Sequence, residues 1–472
     1  MQNQPPLTDA VRRAASVTPS PRQLRWQELE FYGFIHFGMN TFTGREWGDG
    51  TASPALFDPQ DLDPDQWAQA AAAAGMRGLI LTCKHHDGFC LWPSRYTDYT
   101  VAASPWQGGK GDVVRQTAEA CRRAGIRFGV YLSPWDRHEA TYGSGEAYNR
   151  FYLNQLTELL TGYGELFCVW LDGACGEGPD GRVQHYDWQG WYDAVRRCQP
   201  GAVICVSGPD VRWCGNEAGH TRPAEWSVVP AALQDPDYTA ARSQQADDGN
   251  FARHFDAQDD DLGSRAALEH AGPLAWYPAE VDTSIRPGWF YHPEEDAQVR
   301  TAEELFGLYV QAVGGNASLL LNLPPMPTGR LAEPDLASLR ELGALLRARL
   351  GRDLAPAAHF AADTAAPGHD AGQARPDVPG WWQAAAGQQT ARLTLRFDAP
   401  TPVRYLSLRE ELTVGQRIEE GCVLADGREA ARFTVVGARR ICDLGQTVTC
   451  TELTICLDAS RTEPTLREIC VY

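Results

Sequence analysis

At 472 residues the chain is too long for one small domain and has room for a barrel of about 250 residues plus an accessory unit. With 42 Lys and Arg against 61 Asp and Glu, the net charge is -19 and the pI about 5.0, which argues against nucleic acid and anionic membrane surfaces as partners. No basic start followed by an apolar core and no apolar run of about 18 residues occurs, so the expectation is a cytoplasmic protein, or a secreted one if a leader has been removed.

The elements follow in chain order. Apolar segments at residues 31–37, 78–82, 127–132, 166–171 and 202–207 read as strands. Helical patterns at 64–74, 112–124, 148–162 and 188–199 alternate with them; Pro64 suits a first turn and Gly125 a helix end. Strands alternating with single helices imply right-handed β-α-β units, and five or more of them predict a parallel (β/α)8-like barrel. No Gly-x-Gly-x-x-Gly follows the first strand, which weakens a dinucleotide-binding alternative. A polar stretch at 230–263 reads as a long loop near the site, 275–283 and 318–323 as further strands, and 294–313 and 333–350 as helices. Residues 354–380 are rich in Ala, Pro, Gly and Asp, and short alternating strands follow at 391–397, 403–408, 432–436 and 447–456. That alternation predicts an antiparallel β-sandwich, so the expected division is a catalytic barrel at 1–350 and a sandwich at 351–472.

Parallel barrels carry their chemistry at the carboxyl ends of the strands. There stand His36 after the first strand, His85 and His86 after the second, Tyr131 in the third, Asp172 after the fourth and Glu217 in the loop after the fifth, with Trp47, Trp170 and Trp213 nearby. An Asp after a strand also caps turns, and position alone leaves both readings of Asp172 open. No metal site is expected: adjacent histidines on an extended segment point opposite ways, and no His-x-His or His-Glu-x-x-His occurs. The 13 cysteines are odd in number and lack a Cys-x-x-Cys pair, so a disulfide framework or zinc ribbon is not indicated. No Gly-x-Ser-x-Gly marks a serine hydrolase. Paired carboxylates among aromatic rings remain, an arrangement suited to a sugar with polar edges and C–H faces.

Phe34-Ile-His-Phe-Gly-Met-Asn-Thr-Phe42, Glu46-Trp47, Lys84-His-His-Asp-Gly-Phe89, Tyr131-Leu-Ser-Pro-Trp135 and Val169-Trp-Leu-Asp-Gly173, in that order, resemble the α-L-fucosidases of glycoside hydrolase family 29. The resemblance covers about residues 25 to 350. Arg212-Trp-Cys-Gly-Asn-Glu217 and Glu225-Trp226-Ser227 resemble the subgroup that removes α1,3- and α1,4-linked fucose from branched Lewis-type sugars.

The resemblance implies a retaining double displacement with Asp172 as nucleophile and Glu217 as acid/base, the two carboxyls about 5 to 5.5 Å apart. Glu217 would carry a raised pKa from the Asp172 charge and from partial desolvation. Asp210 and Glu225 are the other carboxylates near enough in sequence to take the acid role. His36, Glu46, Trp47, His85, His86 and Tyr131 match fucose-hydroxyl positions, and Trp170 with Trp289 would face the C6 methyl. The implied partners are fucosylated oligosaccharides or glycoconjugate glycans, and no cofactor is implied. The alternatives are a broad-specificity fucosidase, a transfucosidase, and a catalytically silent fucose-binding protein. The stretch 403–417 is similar to discoidin-like sandwiches, which pack on such barrels or bind glycans.

Overall fold

A computed structural model describes residues 8–178, 180–244, 249–253 and 261–472. Eight parallel strands surround one axis: β1 (Phe31–Ile35), β2 (Gly78–Lys84), β3 (Arg127–Leu132), β4 (Cys168–Leu171), β5 (Val203–Val206), β6 (Arg212–Trp213), β7 (Ala279–Ser284) and β8 (Ala317–Asn322). Their order is β5-β4-β3-β2-β1-β8-β7-β6. A parallel bridge between Cys205 and Val211 brings the two ends together, so the sheet is a near-closed (β/α)8-like barrel. Every residue of β1, β2, β4, β5 and β7 is buried. This explains their nearly unbroken apolar runs, because barrel interior and helix layer cover opposite faces. Tyr32, Phe34, Ile80, Tyr131, Trp170 and Leu320 fill the interior, while Phe31, Leu79, Leu81, Val169 and Ile204 pack outward.

Local sequence starts and stops the outer helices. Asp63, Asp112 and Asp187 each accept a backbone N–H three residues on, capping the helices Pro64–Ala73, Val113–Ala124 and Trp188–Cys198. Gly125 ends the second of these in the left-handed region at φ 72°. The helix expected over 294–313 is divided into a 3-10 turn at Pro293–Gln298 and a helix at Ala302–Ala312. Thr301 and Glu304 form a capping box that starts a new helix there. The strand expected over 275–283 is also two. Leu274–Trp276 pairs antiparallel with Val228–Pro230 outside the barrel, and Pro278 separates it from β7.

The long loop expected over 230–263 contains a 3-10 turn at Ala231–Gln234 and a short helix at Pro236–Ala240; positions 245–248 and 254–260 lie outside the described residues. Two N-terminal helices, Asp9–Ser16 and Pro21–Gln27, were not expected. They lie outside the strand-helix rhythm that carries the barrel pattern. Among the described residues, no helix is long and apolar enough to cross a membrane.

After the helix Glu333–Leu350 the chain forms antiparallel sheets. The larger sheet contains β9 (His359–Ala362), β10 (Ala391–Arg409), β11 (Ile418–Ala425), β12 (Arg428–Phe433), β13 (Arg440–Ser460) and β14 (Glu468–Val471); a small ribbon pairs Trp382–Gln383 with Thr465–Leu466. β10 and β13 pair along most of their lengths. The alternation in Ala391-Arg-Leu-Thr-Leu-Arg-Phe397 follows burial, the apolar positions facing the sandwich core.

The sandwich is anchored to the barrel by buried polar contacts. Glu30, just before β1, accepts from Arg409 and, at 2.9 Å, from Arg439 Nη1. Gln416 Oε1 accepts the Ser227 N–H at 2.8 Å, and the Arg461 guanidinium lies 3.5 Å from the centroid of the Trp226 ring. The last two contacts grip the distal end of the loop that carries Glu217.

Candidate active site

A cavity with about 530 Å³ of empty space, open solvent at its mouth included, lies at the carboxyl ends of the strands. His36, Trp47, His85, His86, Tyr131, Trp170, Asp172, Glu217 and Trp289 all line it. Of the expected site residues, only Glu46 stands behind the wall. It accepts hydrogen bonds from the backbone N–H groups of Trp289 (2.8 Å) and Phe290 (3.1 Å), with His292 Nε2 at 2.8 Å. Its place in the structure is therefore that of an anchor for the segment presenting Trp289.

Asp172 follows β4 and keeps 19% of its side chain exposed, toward the cavity. Tyr131 Oη donates to its Oδ2 at 2.8 Å, and the Ala174 N–H donates to Oδ1 at 2.8 Å. Burial raises its pKa to about 6, the two donors pulling it back down. The carboxyl is thus ionised at neutral pH, though poorly solvated. Val206 lines the same cavity at φ 67°. A β-branched residue held there costs roughly 1–3 kcal/mol and marks strain at the site.

The three histidines are neutral. Burial lowers the pKa of His36 and of His86 to about 3, and that of His85 well below its ordinary value. Their Nδ1 partners assign the tautomers. Asn322 spends its Nδ2 on Ser284 Oγ and the Trp289 carbonyl, so its Oδ1, 2.8 Å from His36 Nδ1, accepts, and His36 Nε2 carries the lone pair. Ser133 Oγ gives its proton to the Trp135 carbonyl and accepts from His86 Nδ1 at 2.7 Å. His85 Nδ1 instead accepts from Asn40 Nδ2 at 3.2 Å, which makes His85 Nε2 a donor. The set offers two acceptors and one donor, a pattern for hydroxyl groups, each of which can give one hydrogen bond and take another.

The adjacent His85 and His86 do not point opposite ways: their ring centroids are 4.2 Å apart and both line the cavity. Alternation holds only while the chain is extended, and here β2 ends at Lys84 after a bulge and turns through Gly88 at φ 85°. A Cβ at Gly88 would sit 2.5 Å from Asp136 Oδ1. The turn rests on a buried ion pair, Lys84 Nζ to Asp136 Oδ2 at 2.8 Å, with Gln155 also accepting from the ammonium at 2.9 Å. Among the described residues, no group of three or more His, Cys, Asp or Glu side chains is placed to hold a metal ion.

Glu217 is half-buried, and its Oε2 accepts from Trp289 Nε1 at 3.0 Å. The rival acid candidates are committed elsewhere. Asp210 pairs with Arg22 and Arg196, and Glu225 is buried between Arg212 and Arg222; neither lines the cavity. The loop from Cys214 to Ser227 is held from several sides. Arg222 Nη1 donates to the Cys214 carbonyl at 2.7 Å, and Asn316 Nδ2 to the Glu225 carbonyl at 2.7 Å.

Asp282 was not singled out from sequence, yet it lines the cavity and accepts from Trp213 Nε1 at 2.9 Å. Its neighbour along the inward face, Glu280, accepts from Trp170 Nε1 at 2.6 Å and from Tyr32 Oη, and burial raises its pKa to about 7. The signal was present in β7 itself. Ala279-Glu-Val-Asp-Thr-Ser284 puts Glu280, Asp282 and Ser284 on one face of a wholly buried strand, which makes sense only around a polar interior. Phe34 and Phe251 add apolar wall that the motifs did not assign.

A (β/α)8-like barrel whose rim gathers two carboxylates, one after a strand and one from a loop, with neutral imidazoles and aromatic walls has the architecture of a glycoside hydrolase. The Alpha-L-fucosidase family model matches residues 14–349. The chain is 38% identical over 467 residues to alpha-L-fucosidase 1 of Arabidopsis thaliana, covering 96% of this chain and 87% of the relative. It is 26% identical over 336 residues to human plasma alpha-L-fucosidase, covering 68% and 61%. A Ruminococcus gnavus family 29 fucosidase solved in complex with fucose superposes with a TM-score of 0.82 at 29% identity, over all of this chain and 96% of that one. The protein belongs to the α-L-fucosidases of glycoside hydrolase family 29.

Proposed function

We propose that the protein hydrolyses α1,3- and α1,4-linked L-fucose at the ends of branched Lewis-type oligosaccharides with retention of configuration. The observation that carries the mechanism is the setting of Asp172, a half-buried but ionised carboxylate open to the cavity and held on both oxygens, by Tyr131 and by the Ala174 N–H. In the first step an Asp172 oxygen bonds to C1 of fucose, the C1–O bond to the leaving sugar breaks, and Glu217 gives its proton to the departing oxygen. In the second, water adds to C1, the ester to Asp172 breaks, and the water proton passes to Glu217. His36, His85 and His86 hold the fucose hydroxyls, while Trp170 and Trp289 face the methyl group, where a polar group would be left unpaired. Glu46 serves by holding Trp289. The linkage preference rests on the resemblance of the 212–227 segment to the subgroup's acid/base segment.

Released fucose should be measured separately with a Lewis a or Lewis x trisaccharide, 2′-fucosyllactose and an aryl fucoside. Rapid release from the trisaccharide and little from the other two is expected; equal rates on all three would refute the linkage preference. Glu217→Ala should lose trisaccharide hydrolysis, and azide should restore turnover of an activated fucoside, giving fucosyl azide of retained configuration. An inverted azide product would exchange the roles of the two carboxylates.

A further inference from the structure

Past the end of β7 the chain runs from residue 285 to 292 in neither helix nor strand, and this stretch carries Trp289 into the cavity wall. Buried backbone N–H groups outside a helix or a ladder need other acceptors. Here three successive ones find carboxylates. Gly288 N–H donates to Glu295 Oε1 at 3.2 Å, Trp289 N–H to Glu46 Oε2 at 2.8 Å, and Phe290 N–H to Glu46 Oε1 at 3.1 Å. The two carboxylates come from different elements, Glu46 from the loop after β1 and Glu295 from the 3-10 turn Pro293–Gln298. Both crowd one Cα: a Cβ at Gly288 would sit 2.6 Å from Glu46 Oε1 and 3.4 Å from Glu295 Oε1.

His292 stands with this pair. Its Nε2 lies 2.8 Å from Glu46 Oε1, while Glu295 Oε2 is buried without a hydrogen-bond partner among the described residues. The hydrogen bond to Glu46 raises the His292 pKa against burial, and the charges of Glu46, Glu295 and Glu294 add to the rise. Burial pushes Glu295 up to about 7, and the His292 charge is the strongest influence pulling it back. The Arg286 guanidinium, whose charge also reaches Glu295, is bonded to Asp335 at 3.1 Å and to Asp296 at 2.8 Å.

Resting on the reading of Trp289 as a wall of the fucose pocket, we propose that His292 and Glu295 are positioning residues of the fucosidase: His292 donates to Glu46, Glu295 accepts from Gly288, and together they fix the backbone of residues 288–290 that aims the Trp289 indole. Neither residue lines the cavity. Their effect passes through one ring, which donates to Glu217 at 3.0 Å and lies 5.0 Å, centroid to centroid, from His36. A tilt of this backbone moves both contacts together.

The test is a mutant cycle read on whichever fucoside the wild-type protein hydrolyses fastest, so that it stands whatever the linkage preference. His292→Leu removes the donor to Glu46 and should lower kcat/KM about tenfold, the size of one hydrogen bond to a charged group. His292→Gln keeps a side-chain N–H and should return kcat/KM to within about threefold of wild type. In a Trp289→Leu background, His292→Leu should cost less than about twofold, because the indole it positions is gone. Glu295→Leu should follow the same pattern, and it replaces His292→Leu if that variant does not fold. A tenfold loss that persists in the Trp289→Leu background, or a His292→Gln protein no better than His292→Leu, overturns the positioning role. A lowered thermal midpoint with unchanged kcat/KM overturns it too, by making the two residues merely structural. A Trp289→Leu protein as active as wild type overturns the reading of Trp289 and the positioning role together.

Discussion

Replacing Asp172 by Asn should abolish hydrolysis and, at the same pH, make the protein harder to unfold. The carboxyl's pKa rises from an ordinary 3.8 to about 6 in the fold, because burial outweighs the hydrogen bonds from Tyr131 and Ala174. A group whose pKa is raised by folding gives its full contribution to stability below the unfolded value and loses it as the pH climbs through the folded one. Roughly two pH units at about 1.4 kcal/mol each set a penalty of about 3 kcal/mol at pH 8. That figure is an upper bound, because 19% of the side chain is open to solvent in the cavity. Asn fits without a new clash of donors. Its Oδ1 keeps the Ala174 N–H, and its Nδ2 donates to Tyr131 Oη, whose hydroxyl proton turns away. For a domain of this size the gain corresponds to about 2–4 °C in the thermal midpoint. The assay is thermal unfolding of both proteins from pH 4 to pH 8, alongside wild-type kcat/KM, whose acid limb should fall near pH 6. A variant no more stable than wild type at pH 8, or a gain as large at pH 4 as at pH 8, would refute the account of a carboxylate held ionised against its own desolvation.

Two further substitutions probe the supports of the site. Lys84→Met removes the ammonium from Asp136, where the two side chains are 0% and 2% exposed. It should lower stability by about 3–5 kcal/mol, read as a shift in the denaturant midpoint, because it leaves a buried charge unpaired. Arg461→Ala takes a guanidinium off the Trp226 ring and so loosens the distal end of the Glu217 loop. It should cost about 2 kcal/mol of stability and slow trisaccharide hydrolysis more than hydrolysis of fucosyl fluoride, whose leaving group needs no protonation; equal losses on both substrates would mean that the sandwich does not act through the Glu217 loop.

The alternation of buried strands with capped helices made the barrel legible, because a strand covered on both faces must be apolar throughout and Asp63, Asp112 and Asp187 announce helix starts locally. Residues at strand ends were legible for the same reason: the barrel rule carries His36, Tyr131 and Asp172 to one rim whatever the details of packing. The break at Thr301 was readable in principle from its capping box, but helical periodicity on both sides masked it.

What the sequence determined by itself was thus the strand and helix pattern, the barrel it closes into, and the rim on which the motifs converge. These follow from local rules of burial, capping and chain direction. Only the tertiary structure decided which side chains face the cavity. It turned His85 and His86 to the same side through a bulge, withdrew Glu46 to an anchoring position behind Trp289, and brought Asp282 into the wall beside Glu217. Orientation, proton affinity and pairing depend on groups 40 to several hundred residues apart in the chain, such as Trp289 on Glu217 and Arg461 on Trp226. Distances between such groups are set by the packing of the closed barrel and its sandwich, and no local pattern in the chain encodes them.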